Sequence, residues 1–214
     1  MTSRGHGLSE QATKTLSIRS YADDLIALLA ALSIHKVIPV GLSIGGLIAQ
    51  ELYRQRPDLV DKLILTNTAT KVGSKESWNQ RIQAVKENGL ASISDLILSR
   101  WFGSGFAVNH PDRCALAKAI LLQTPDEGYV AACHALAEAD LTGYASDIRV
   151  PTLCIAGSDD QATPTNVVRA MANLIPRSEF YELSGAGHLP CLESEKEFTQ
   201  AILTFLSKHG ECDS

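Results

Sequence analysis

Apolar positions along the chain follow two different periods. Over residues 21–32 (YADDLIALLAAL) they recur at helical spacing, which predicts an amphipathic helix. Residues 36–40 are largely apolar and rich in β-branched side chains, which predicts a short strand. Helical spacing returns over 44–56 and stops at Pro57, which cannot continue a helix. Residues 62–66 (KLILT) predict the next buried strand, ending near Asn67. A strand, a helix and a strand in succession form a parallel βαβ unit. After Thr70 the strand pattern disappears. Four helical stretches follow, near 74–88, 91–101, 113–122 and 126–139, divided by Pro111, Pro125 and several glycines. Strands resume over 150–156 and 178–183, with a helix between them that opens at Pro164 and runs to about residue 174. An amphipathic helix over about 193–208 closes the chain. The pattern predicts an α/β core made of residues 1–70 and 146–214, a mostly parallel sheet with helices on both faces. Residues 71–145 are expected as an inserted helical lid, with an extra layer of core helices as the alternative.

The strand over 36–40 runs into Gly41-Leu42-Ser43-Ile44-Gly45, and a helix follows at once. G-x-S-x-G between a strand and a helix is the setting of a nucleophile elbow, a turn so tight that the serine backbone is strained. The expectation is that Gly41 and Gly45 both leave room for it. Ser43 would then stand at a helix N-terminus, with the Ile44 N–H aimed where an oxyanion forms. Serine needs a base, and the base needs an orienting carboxylate. Loops after the two later strands supply both, at the sheet edge where active sites form. His188 sits in the loop Ser184-Gly185-Ala186-Gly187-His188-Leu189-Pro190, while His6, His35, His110, His134 and His209 are weaker candidates. Asp159 and Asp160 are adjacent, and spacing does not choose between them. The chain order serine, aspartate, histidine is that of an α/β-hydrolase.

Composition narrows the partners. A net charge of −5 gives no electrostatic case for nucleic acid or an anionic membrane. No apolar run approaches the ~20 residues that span a bilayer, and the first residues lack the apolar core of a signal peptide. Cys114, Cys133, Cys154, Cys191 and Cys212 are odd in number and widely spaced, which argues against a disulfide framework or a zinc site. They read as reduced thiols of a cytoplasmic protein.

Four segments carry a family resemblance: Arg4-Gly5-His6-Gly7-Leu8-Ser9, Gly41-Leu42-Ser43-Ile44-Gly45-Gly46, Asp160-Gln161-Ala162-Thr163-Pro164 and Gly185-Ala186-Gly187-His188-Leu189-Pro190. They resemble the α/β-hydrolase superfamily. Residues Leu65-Thr66-Asn67-Thr68-Ala69, Glu76-Ser77-Trp78-Asn79 with Arg81-Ile82, Arg100-Trp101-Phe102 and Ala137-Glu138-Ala139-Asp140-Leu141 look like the 3-oxoadipate enol-lactonases of aromatic-compound breakdown (the β-ketoadipate pathway). The resemblance implies a serine esterase that opens a lactone without cofactor or metal. Its D-x-x-T-P pattern carries the catalytic acid onto Asp160, giving Ser43, Asp160 and His188 as the triad. The substrate is a carboxylate, so a cation at the pocket is expected. Arg100 beside Trp101 is the candidate. Other carboxylesterases, carbon–carbon bond hydrolases and an inactive hydrolase-like protein are the alternatives. Two departures stand out. Thr2 occupies the place of an aspartate, and the family's first strands and its His-Gly loop, source of a second oxyanion donor, have no counterpart here. An unpaired sheet edge and a possible homo-oligomer are expected in consequence.

Overall fold

The computed structural model describes residues 3–10 and 16–210. Thr2 and Cys212 lie outside them. Four strands, β1 (Val40–Leu42), β2 (Leu63–Thr66), β3 (Thr152–Gly157) and β4 (Ser178–Leu183), form one parallel sheet in the order β1-β2-β3-β4. Register pairs Gly41 with Leu65, Leu65 with Cys154 and Ile155 with Tyr181. Every residue of β2 and β3 is buried, as expected of central parallel strands covered on both faces.

Strand residues alternate between those faces. Leu63, Leu65, Cys154 and Ala156 point toward α1 (Ile18–Ala31), α2 (Ile44–Gln55) and α8 (Thr165–Leu174), where they meet Leu29, Leu52, Val168 and Met171. Ile64, Leu153 and Ile155 point the other way, toward Phe205 and Ile202 of α10 (Glu195–Lys208). The chain crosses from β1 to β2 through α2, and from β3 to β4 through α8. Between β2 and β3 it runs through α3 (Lys75–Asn88), α4 (Ser94–Trp101), α5 (Ser104–Asn109), α6 (Pro111–Leu121) and α7 (Asp126–Glu138). These inserted helices hold a small core of their own around Val85, Leu90, Ile97 and Leu121. Ala131, Ala135 and Ala139 seat α7 and its end against Tyr21 and Leu47 of the core helices. Cys133 in α7 and Cys154 in β3 are both enclosed, and burial pushes their thiols up to about 11 and about 12.

Among the elements that differ from the sequence expectation, three have a plain local cause. The strand before the elbow is ladder-paired only from Val40, and Val37 makes an isolated bridge to Val60. Pro39 lies between them: its carbonyl accepts from Ile64 N (3.0 Å), but it has no N–H to return. Helix α1 begins earlier, because Ser17 and Ser20 form a reciprocal cap ahead of the apolar run. Helix α5 was not anticipated, since six residues are too few to show a period. Strand β1 is one edge of the described sheet, and Val40 is 55% exposed there. No helix among the described residues is long and apolar enough to cross a membrane.

Candidate active site

Parallel strands end at a common edge, and all the candidate chemistry sits there. Ser43 follows β1, Asn67 follows β2, Asp160 follows β3 and His188 follows β4. Ser43 has φ 55° and ψ −120°, a left-handed conformation for a non-glycine residue. Its N–H donates to Thr66 O (3.0 Å), and its carbonyl accepts from the Thr68 hydroxyl (2.7 Å). Those bonds to the neighbouring strand and its loop hold the strained turn. As N-cap of α2, Ser43 precedes Ile44, whose N–H has no acceptor within the helix.

The glycine expectation needs one correction. A Cβ at Gly41 would lie 2.4 Å from Gly45 O, so Gly41 is required. At Gly45 a Cβ would meet nothing within 4 Å. The second tight position is Gly46 instead, where a Cβ would fall 2.3 Å from Thr68 Cγ2. The elbow is crowded from the Thr68 side, and Gly45 faces away from it.

Asp160 and His188 are each 4% exposed. The His188 Nδ1 is 2.8 Å from Asp160 Oδ2. The same oxygen accepts from Asn67 Nδ2 (2.9 Å) and the Thr163 hydroxyl (2.6 Å), while Oδ1 accepts from Ala162 N (2.7 Å) and Thr163 N (3.0 Å). Burial pushes this carboxyl upward, but the hydrogen bond and charge of His188 and the Thr163 donors outweigh it and hold it below the usual carboxylate range. An ionised Asp160 only accepts, so Nδ1 carries a proton toward it, and whenever the imidazole is neutral Nε2 is the acceptor. Asp159 is exposed and takes a hydrogen bond from Ser158 Oγ (2.9 Å), while the carboxylate bonded to His188 is that of Asp160. The structure thus separates the two aspartates that spacing could not.

Ser43, Ile44 and His188 line one cavity of about 890 Å³, roofed by the inserted helices. His6 also lines it, as do Arg100 and Trp101. Arg100 is exposed. Arg81 is a better-placed cation: it is half-buried, its guanidinium lies 4.8 Å from the Trp78 ring centroid, and Nη1 is 3.4 Å from Tyr129 Oη. No carboxylate pairs with it among the described residues. Trp78 and Arg81 are one turn apart on α3, a spacing visible in the sequence, but periodicity alone does not say which face of a helix looks into a cavity. Asn67 and Thr163 stand in the sequence motifs with no local signal of a role, and both hold Asp160. Among the described residues no cluster of three or more His, Cys, Asp or Glu side chains is arranged to hold a metal ion.

Known proteins place this geometry. The family profile described as Serine aminopeptidase, S33 matches residues 1–195. The 3-oxoadipate enol-lactonase 2 of Acinetobacter baylyi is 35% identical over 199 residues, covering 93% of this chain and 74% of that protein. The crystal structure of the enol-lactonase from Burkholderia xenovorans LB400 superposes with a TM-score of 0.92 at 32% identity, covering 96% of this chain and 78% of that one. A thermophilic esterase from Thermogutta terrifontis, solved with malate bound, gives 0.91 at 31% identity, covering 98% and 79%. The chain therefore spans about three quarters of the relatives it matches, and it belongs to the α/β-hydrolase family.

Proposed function

We propose that the chain is a serine hydrolase that opens 3-oxoadipate enol-lactone to 3-oxoadipate. The observation that carries the reading is the convergence, in one cavity, of Ser43 at a helix N-terminus, His188 held by Asp160, and the Arg81 guanidinium. His188 Nε2 takes the Ser43 proton as Oγ attacks the lactone carbonyl. The Ile44 N–H and the positive end of α2 meet the charge that develops on the carbonyl oxygen. Collapse breaks the ring C–O bond, His188 returns the proton, and the leaving enol becomes a ketone. A water activated by the same imidazole then releases the acyl group from Ser43. Arg81 on its Trp78 shelf receives the substrate carboxylate, and the inserted helices act as a lid that shapes the pocket. Similarity to the A. baylyi enol-lactonase supports the choice of substrate.

A second reading, a short-chain carboxylesterase, is supported by the 31% identical T. terrifontis esterase. Purified protein given enol-lactone and a series of short p-nitrophenyl esters separates the two. A higher kcat/KM on the lactone is expected, and the reverse order would favour the esterase. Failure of a fluorophosphonate probe to label Ser43 would overturn both.

A further inference from the structure

The segment after His188 turns back on itself. Pro190–Glu193 form a single helical turn, α9, which brings the Glu193 carboxylate beneath the loop that carries the base. Glu193 Oε2 accepts from Gly187 N (3.1 Å), and Oε1 accepts from Leu189 N (3.3 Å). The two N–H groups flank His188. A third donor comes from far along the chain: Gly103 N, at the junction of α4 and α5, reaches Oε2 at 2.8 Å. The N–H of His188 donates to Trp101 O (2.7 Å) in the same stretch. A carboxylate filling a concavity of backbone N–H groups is a strong, directional anchor. The approach is too close for side chains. A Cβ on Gly187 would lie 2.5 Å from Gly103 N, and one on Gly103 would lie 2.7 Å from Gly185 O.

The geometry points to Glu193 as a positioning residue for the base: its carboxylate clamps the His188 loop to the 101–103 segment of the inserted helices, so that imidazole and pocket wall move as one unit. This rests on His188 acting as the base for Ser43. Trp101 lines the cavity and its carbonyl holds His188, so a displacement of the wall is felt at the catalytic nitrogen. Glu193 itself touches neither substrate nor Ser43 in this assignment.

The test compares Glu193→Gln and Glu193→Ala in the full chain. Gln keeps one oxygen for Gly103 and Gly187 and exchanges the long bond to Leu189 for an amide N–H2 that faces the Leu189 N–H, whereas Ala frees all three donors. Since an error near 1 Å in a catalytic group costs about 10²-fold, Glu193→Ala is expected to lower kcat on p-nitrophenyl acetate by about 10- to 100-fold. It should slow fluorophosphonate labelling of Ser43 equally, at temperatures where circular dichroism shows it folded. Glu193→Gln should recover most of the rate. Amide hydrogen exchange at Gly103 and Gly187 should quicken together in the Ala variant. Wild-type kcat in a folded Glu193→Ala protein would overturn the clamp. So would equal losses in Gln and Ala, or exchange that quickens at only one of the two glycines. Ser43→Ala in parallel keeps the readings distinct: if it retains turnover, the serine mechanism fails, and not the clamp alone.

Discussion

Ser43 is held at φ 55° by bonds to Thr66 and Thr68, a conformation that costs on the order of 1–3 kcal/mol for a non-glycine residue. Alanine tolerates that backbone about as well, so Ser43→Ala should fold normally and lose about 10⁴-fold or more in kcat; esterase assays beside thermal melts check this. Asp160→Asn should be far more damaging than Asp159→Asn, since only Asp160 touches His188 and an amide there can enforce the wrong tautomer. Equal losses would unseat the assignment. The same carboxyl sets a pH dependence. Its folded pKa lies below its ordinary value, so its stabilisation is complete above that value and is lost as pH falls through the folded one. The gap in unfolding free energy between wild type and Asp160→Asn should therefore hold from neutral pH to about pH 5 and shrink below it. Urea titrations across that range measure it, and a gap that widened in acid would reverse the sign. Of the two arginines, Arg81→Gln should raise KM for the carboxylate-bearing lactone and leave p-nitrophenyl acetate nearly unaffected, while exposed Arg100 should matter less. Equal effects at both positions would remove Arg81 from the substrate-binding assignment.

Within the elbow, one strand and one helix share so little space that neighbouring glycines have opposite fates. Gly41→Ala would drive a methyl into the carbonyl of Gly45, and Gly46→Ala would push Thr68 off the Ser43 carbonyl. Gly45→Ala meets open space inside α2 and should stabilise by up to about 1 kcal/mol through helix propensity. Urea denaturation of the three variants should rank Gly45→Ala above wild type and the other two below it. The motif revealed the elbow, because an apolar strand and a helix frame it, but a five-residue pattern cannot say which glycine is crowded. The sheet was legible for a similar reason: β2 and β3 are uninterrupted apolar runs buried on both faces. The start of β1 was not, since Pro39 reads as apolar yet withholds a ladder bond. Asp160 was legible only through the family pattern. Glu193 left no local trace, because its most telling partner, Gly103, is 90 residues away.

Across the whole molecule, the sheet with apolar cores on both its faces forms a lower layer, and the inserted helices with a core of their own form an upper layer that roofs the cavity lined by Ser43 and His188. Strap-like contacts join them, among them Arg113 of α6, which donates to Leu192 O (3.1 Å) and pairs with Glu195 (2.6 Å). Such an arrangement allows the upper layer to open before the lower one melts. The enclosed thiols turn that possibility into a pair of internal clocks. Cys133 belongs to the upper layer and borders the cavity, Cys154 belongs to the central sheet, and neither reacts as a thiolate until water reaches it. With a thiol-specific reagent, exposed Cys191 should be consumed before either of them. Cys133 should follow at a rate nearly independent of denaturant, and Cys154 only at the rate of global unfolding. A ligand filling the cavity should slow the Cys133 clock and leave the Cys154 clock running as before. If both thiols kept the same time under every condition, the two layers would unfold as a single cooperative unit, and access to Ser43 would be governed by smaller motions than the lifting of a lid.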